Sequence, residues 1–286
     1  MSTWKKFTVS VPMTFRTIEK YLHFDLLMRR LLILLTGVLI FSFAWGQEEP
    51  PLITDRPDQT ESSSVVPQWR LQIETGAMRE WVETGSNEYE NNTSFGSTLL
   101  RFGVLKFLEL RLGTDMLNHR SKLPTGAMRD EFGMSPIGFG FKAALMQEDG
   151  LRPEMAFITG WQVPNTGRES FASDKWQHSY IIAISYTLSE RWGFGYNLGW
   201  EFEGAFEVNR LVYSLAFGYA LAEKWGMFLE TYTNKTGKNP FDLRTDAGVT
   251  WLLFPNFQLD LSGGLGISKI SPIGFISAGL SWRIPR

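Results

Sequence analysis

From Gln68 to Ile284 the chain repeats one pattern: large apolar residues at every second position, with small or polar residues between them. Side chains alternate faces with period two only in a β-strand, so this pattern rules out a mainly helical protein. In "WRLQIETGAMREW" the residues Trp69, Leu71, Ile73, Thr75, Ala77 and Trp81 share one face, broken by Arg79. Arg70, Gln72, Glu74 and Glu80 share the other. In "WGFGYNLGWEF" the split is cleaner, with Trp192, Phe194, Tyr196, Leu198, Trp200 and Phe202 opposite Gly193, Gly195, Asn197, Gly199 and Glu201.

The period predicts twelve strands near 68–82, 94–104, 107–118, 134–147, 151–163, 176–188, 191–203, 209–222, 224–234, 242–253, 256–267 and 272–284. The connections alternate in length. "VLKF", "QEDG", "LSER", "LAEK" and "LFPN" are tight, whereas "VETGSNEYENNTS" (82–94), "NHRSKLPTGAMRDEF" (118–132) and "PNTGRESFASDK" (164–175) are long and polar. Short turns at one end and long loops at the other are what a transmembrane antiparallel up-and-down β-barrel with both termini in the periplasm requires. A backbone in hydrocarbon must pair every N–H and C=O internally, and a closed sheet does so.

The bulky faces fit lipid better than a barrel interior. Trp69 to Trp81 and Trp192 to Trp200 project to roughly 29 Å and 19 Å along a bilayer normal, bracketing the apolar band of about 25 Å in such barrels. Phe107, Trp192, Trp225, Trp251 and Phe257 then form a girdle at the short turns, and Trp81, Trp161, Trp176 and Trp200 one at the long loops. The 11 Trp and 22 Phe of the 286 residues are the compositional trace of this arrangement. The alternative is a soluble exported sandwich with an aromatic core, which gives no reason for the loop-length rule.

By parity the lumen face carries Arg70, Glu74, Arg101, Glu109, Arg111, Asp115, Lys142, Glu154, Glu201, Glu230, Asp246, Asp260 and Arg283. Most of these ions are expected to pair with one another, and an unpaired subset to line a conduit. Twelve strands fall between the filled eight-stranded barrel and the open sixteen-stranded pore, which predicts a narrow or plugged lumen.

Upstream of the barrel, "MRRLLILLTGVLIFSFAWGQ" has a basic start at Arg29 and Arg30, an apolar run and small residues at Ala44 and Gly46. It reads as a signal peptide over 28–46, too short for a spanning helix. That makes Met28 the expected true start and 1–27 a mis-assigned extension. Residues 47–67 hold four prolines and many polar groups. With Asp55, Arg56, Asp58 and Glu61 this stretch is expected either to fold back as a plug at the periplasmic mouth or to act as a solvated spacer.

The words "LITDRPDQTES" (52–62), "LQIETG" (71–76), "LLRFG" (99–103), "LELRLG" (108–113), "LSERW" (188–192) and "QLDLSGGLG" (258–266) give the chain a family likeness. It resembles the outer-membrane transporter-like barrels associated with the meta-pathway of phenol degradation, in particular their Bacteroidetes members. The resemblance implies passage of small molecules, aromatic or otherwise apolar ones among them, across a bacterial outer membrane, with the lipid bilayer and the barrel-assembly machinery as partners. Barrels of this kind usually end on an aromatic residue, whereas this chain has Trp282 followed by "RIPR".

Other chemistries have little support. A net charge of −2 lacks the basic face that nucleic acid requires, and the absence of Cys removes disulfides and thiolate metal sites. No cofactor and no metal site are expected: His119 and His178, expected in or beside external loops, have no ligand cluster near them in sequence. A lipid hydrolase or acyltransferase needs a serine activated by histidine. In "WQHSY" His178 and Ser179 are adjacent and so point to opposite faces. A non-conducting surface barrel is the remaining alternative.

Overall fold

The computed structural model describes residues 50–285 except 86–87, 123–124 and 205–207. The expected extension 1–27 and signal peptide 28–46 lie outside the described residues. Thirteen strands occur among the described residues: β1 Leu71–Gly85, β2 Glu88–Leu105, β3 Leu108–Lys122, β4 Met128–Met134, β5 Gly138–Met146, β6 Glu154–Gln162, β7 Gln177–Thr187, β8 Trp192–Glu203, β9 Val208–Ala222, β10 Trp225–Thr236, β11 Asp242–Phe254, β12 Phe257–Gly266 and β13 Gly274–Arg283. All pair antiparallel with chain neighbours, and β1 pairs with β13, from Gln72↔Arg283 to Trp81↔Gly274. The sheet is therefore closed. β4 and β5 occupy one wall position, both against β3, so the wall has twelve staves.

Two of the expected long loops are mostly strand. β1 and β2 run on to Gly85 and Glu88, and the stretch expected as a loop over 118–132 is the β3–β4 hairpin. Their polar sequences hid them: Asn118 and Arg120 pair with Asp130 on an exposed face, which no bilayer band would accept. These hairpins project past the apolar zone, where both faces meet water and the alternation signal disappears. The expected strand 134–147 begins late because Pro136 interrupts the ladder between β4 and β5. There the Ile137 N–H donates to the Thr166 hydroxyl of the following loop instead. Trp69 lies before β1 with φ 62°, its N–H donating to Gly103 O, so β1 starts two residues later than its alternation. His119 is on β3 rather than in a loop, and His178 is the second residue of β7, beside a long loop as expected.

The usual distribution of side chains is reversed. Among the largest fully buried ones are Arg101, Arg283, Lys142, Gln72, Glu74, Glu109 and Glu230, while Leu229, Leu261, Leu265 and Ile276 are more than half exposed. Ions face in and hydrocarbon faces out. In water such a surface would have a large hydrophobic cost. In acyl chains it has none. Aromatic pairs mark both rims of the apolar wall. Trp225 and Trp251 stack at 5.3 Å near the short turns, and Phe139 and Trp161 stack at 5.7 Å toward the other end.

Candidate functional site

The interior is built by residues 50–67, which enter beside β13 and follow the inner wall around the barrel. Arg283 donates to the carbonyls of Pro50 and Pro51. Gln72 donates to Ile53 O and Gln258 to Thr54 Oγ1. Arg56 then crosses the seam between the first and last strands, donating to Asp260 on β12 at 3.0 Å and to Ser277 on β13 at 3.1 Å. A side chain on either Gly76 or Gly279, which face each other across that seam, would overlap the guanidinium. Here the barrel strands need glycine for space rather than for backbone freedom.

Farther on, the Gln59 N–H donates to Glu230 at 2.7 Å, and Thr60 Oγ1 donates to Glu230 while accepting from the Ser214 hydroxyl. Asn197 holds Glu61 from both sides, accepting from its N–H at 2.6 Å and donating to its carbonyl at 3.0 Å. Ser63 and Ser64 donate to Glu154, and the Val66 N–H donates to Glu109 at 2.7 Å. Each of these wall residues lies on the lumen side of its strand, Glu109 and Glu154 at the end where the chain enters β1 and leaves β13 and Asn197, Ser214 and Glu230 about midway along theirs. The segment thus replaces the water that inward polar groups would otherwise need.

Where the segment meets β1, β2, β3 and β5, a buried ionic cluster forms. Arg101 donates to Glu74 at 2.8 Å and to Glu109 at 2.8 and 3.0 Å, and lies 3.1 Å from Asp55. Lys142 donates to Asp55 at 2.8 Å. Arg111 donates to Glu61 at 2.8 and 3.0 Å and lies 3.2 Å from Asp55. Burial pushes the Asp55 carboxyl up, but Arg101, Lys142 and Arg111 together hold it well below the usual carboxylate range. Glu61 goes the other way. Its burial outweighs the pull of Arg111, and the neighbouring Asp55 raises it further. Ser62 closes the turn by donating to Asp55 through both N–H and Oγ.

Above this floor the lumen opens toward the longer hairpins as a cavity of about 700 Å³. Glu61 and Arg111 lie at its base, Asp115 and Glu201 on its wall, and Arg210 pairs with Glu201 across adjacent strands. Of the residues chosen by parity, Glu74, Arg101, Glu109, Arg111 and Lys142 come together with Asp55 and Glu61 in one cluster. Glu154, Glu230, Asp260 and Arg283 each hold the segment separately, and Asp246 sits beside Glu230 on the next strand. Arg70 precedes β1. Selecting charges alone missed the neutral anchors Gln72, Asn197, Ser214, Gln258 and Ser277, and the selection also left out the paired ions Glu80, Arg210 and Arg244. The same parity marks all of them.

His178 stacks on Phe202 at 5.2 Å on the outer aromatic face, whereas Ser179 stands opposite Glu201 on the lumen face. The wall separates the two groups that an activated serine would need together. Among the described residues no group of three or more His, Cys, Asp and Glu is placed to hold a metal ion.

An outer-membrane channel from Pseudomonas putida F1 has the same fold, with a TM-score of 0.61 at 11% identity over 77% of this chain and 97% of that one. The translocator domain of the autotransporter NalP from Neisseria meningitidis gives a TM-score of 0.50 at 10% identity, over 93% and 97%. At such identities the likeness is one of fold. No curated protein matches in sequence. Residues 54–284 match the family model described as "Putative MetA-pathway of phenol degradation", so the chain, interior segment included, belongs to that family.

Proposed function

We propose that the protein is an outer-membrane conduit for small molecules, exported through a signal peptide at 28–46 cleaved before Gln47, with its short turns and both termini in the periplasm. The barrel-assembly machinery inserts it, and residues 50–67 form a plug on the periplasmic side. The carrying observation is the reversed interior: an ionic floor beneath a cavity of about 700 Å³ with charged groups on its wall, inside a shell of exposed apolar side chains. A structural anchor has no need of a polar cavity of the size that small-molecule sites have. The family description connects the chain with phenol degradation, which supports aromatic solutes as its cargo. The P. putida relative is itself named an outer-membrane channel.

Planar-bilayer recording of the refolded chain, intact and with 52–62 deleted, tests the proposal. The intact protein is expected to show small conductance steps and the deletion larger ones. Equal conductance in both removes the plug, and silence in both removes the conduit.

A further inference from the structure

The ionic floor has one carboxylate more than its cations require. Arg101, Arg111 and Lys142 face Asp55, Glu61, Glu74 and Glu109. Three of the carboxylates are almost wholly enclosed, with side-chain exposures of 5% for Asp55, 1% for Glu74 and 0% for Glu109. Glu61 is different at 26%, and it lines the cavity. Without it the remaining cations and carboxylates balance.

Glu61 is also the group that can leave most easily. Asn197 fixes its backbone through both N–H and C=O, so the carboxylate can swing on its own side-chain torsions while the segment stays seated. Its departure would uncover Arg111 Nη1 and Nη2, a planar pair of donors now engaged at 2.8 and 3.0 Å, with Lys142 Nζ 3.7 Å from Oε2 behind them. Arg111 would keep Asp55 as a counterion at 3.2 Å, so it would not be left as an isolated buried charge. The fork geometry suits a second carboxylate as well as the first. Above it the cavity wall carries Leu99, Ile158 and Ile181 on the lumen side, an apolar lining for the rest of a solute.

Resting on the conduit reading, we infer that Arg111 with Lys142 is a binding subsite for small carboxylic acids with an apolar body, and that Glu61 is a tethered carboxylate which the solute displaces. Exchange of one carboxylate for another leaves the charge of the floor unchanged. Affinity is therefore modest and release rapid, as passage demands.

Calorimetric titration of the full chain refolded in detergent micelles tests this directly, with benzoate as the probe and benzyl alcohol as its uncharged counterpart. Benzoate is expected to bind at one site, at least about tenfold tighter than benzyl alcohol. Glu61→Gln removes the internal competitor, and benzoate should then bind about tenfold tighter still, because more of the protein has the fork free. Arg111→Gln should weaken benzoate by roughly tenfold to a hundredfold, the worth of hydrogen bonds to a charged group. Equal affinity for the two probes overturns the inference, and so does unchanged or weaker benzoate binding by Glu61→Gln. That second variant decides the matter if Arg111→Gln does not fold. Absence of benzoate binding in a protein that conducts ions removes this subsite alone, whereas benzoate binding without conductance removes the conduit and keeps the subsite.

Discussion

Glu80 on β1 and Arg244 on β11 form an ion pair of 2.8 Å although β13 and β12 stand between their strands. The bond is a chord across the lumen, some six residues up β1 from the cluster at Glu74. Arg244 is fixed in place by Asp242, which accepts from Nε at 3.0 Å and from Nη2 at 2.6 Å. This chord narrows the passage a second time, independently of residues 50–67. Glu80→Gln is expected to raise single-channel conductance in a chain already lacking 52–62, because the arginine is then held from one side only. Bilayer recording of the deleted chain with and without Glu80→Gln checks it.

Arg56 fits over its seam because Gly76 and Gly279 have no side chains. Gly279→Leu should therefore expel the guanidinium from Asp260 while the ladder β1–β13, which uses backbone groups, remains paired. The expected outcome is a folded barrel with conductance approaching that of the 52–62 deletion. Mobility of the unheated protein on a denaturing gel reports the fold, and conductance reports the segment.

Arg101 loses its two-bond partner in Glu109→Ala, leaving a fully buried guanidinium with Glu74 and Asp55 and freeing the Val66 N–H as well. Removing one member of a buried pair costs about 3–5 kcal/mol. Glu109→Ala is expected to lower the midpoint of urea unfolding in detergent substantially, and Glu201→Ala, whose partner Arg210 is half exposed, only slightly.

Asp55 and Asp58 give the seated segment opposite dependences on pH. Burial and then the nearby Glu230 carboxylate raise Asp58 well above its ordinary value, so seating favours its protonated form. Its contribution is fully present below about pH 4 and is lost as pH climbs toward the raised value. Asp55, held down by its cations, contributes fully above about pH 4 and fails as pH falls through its depressed value. Hydrogen exchange at the amides of Gln59, Glu61 and Val66, corrected for intrinsic rates, should show protection declining on the alkaline side in the parent. Asp58→Asn should lessen that decline, and the part that remains belongs to Glu61, which burial raises as well.

The closed barrel was legible in the sequence because lipid on one side and ions on the other impose a strict period of two, as in Trp192 to Phe202. The lumen ions followed from the same parity. Where water meets both faces, as at Asn118, Arg120 and Asp130, that constraint lapses, and the β3–β4 hairpin was read as a loop. The partners inside could not be read at all. Arg56 and Asp260 are two hundred and four residues apart in sequence, and only closure brings them together. Polar density in "TDRPDQTES" left a folded-back segment and a solvated spacer equally open, and nothing in it pointed to the room that Gly76 and Gly279 make.

The slot for Arg56 has one wall from the first strand of the barrel and the other from the last. Until β13 arrives that slot does not exist, so residues 50–67 can take their final place only after the last strand has been laid down. Filling of the interior is thereby tied to the completion of the wall: a half-built barrel has no seat for Arg56, and one in which Arg56 is seated has already been sealed.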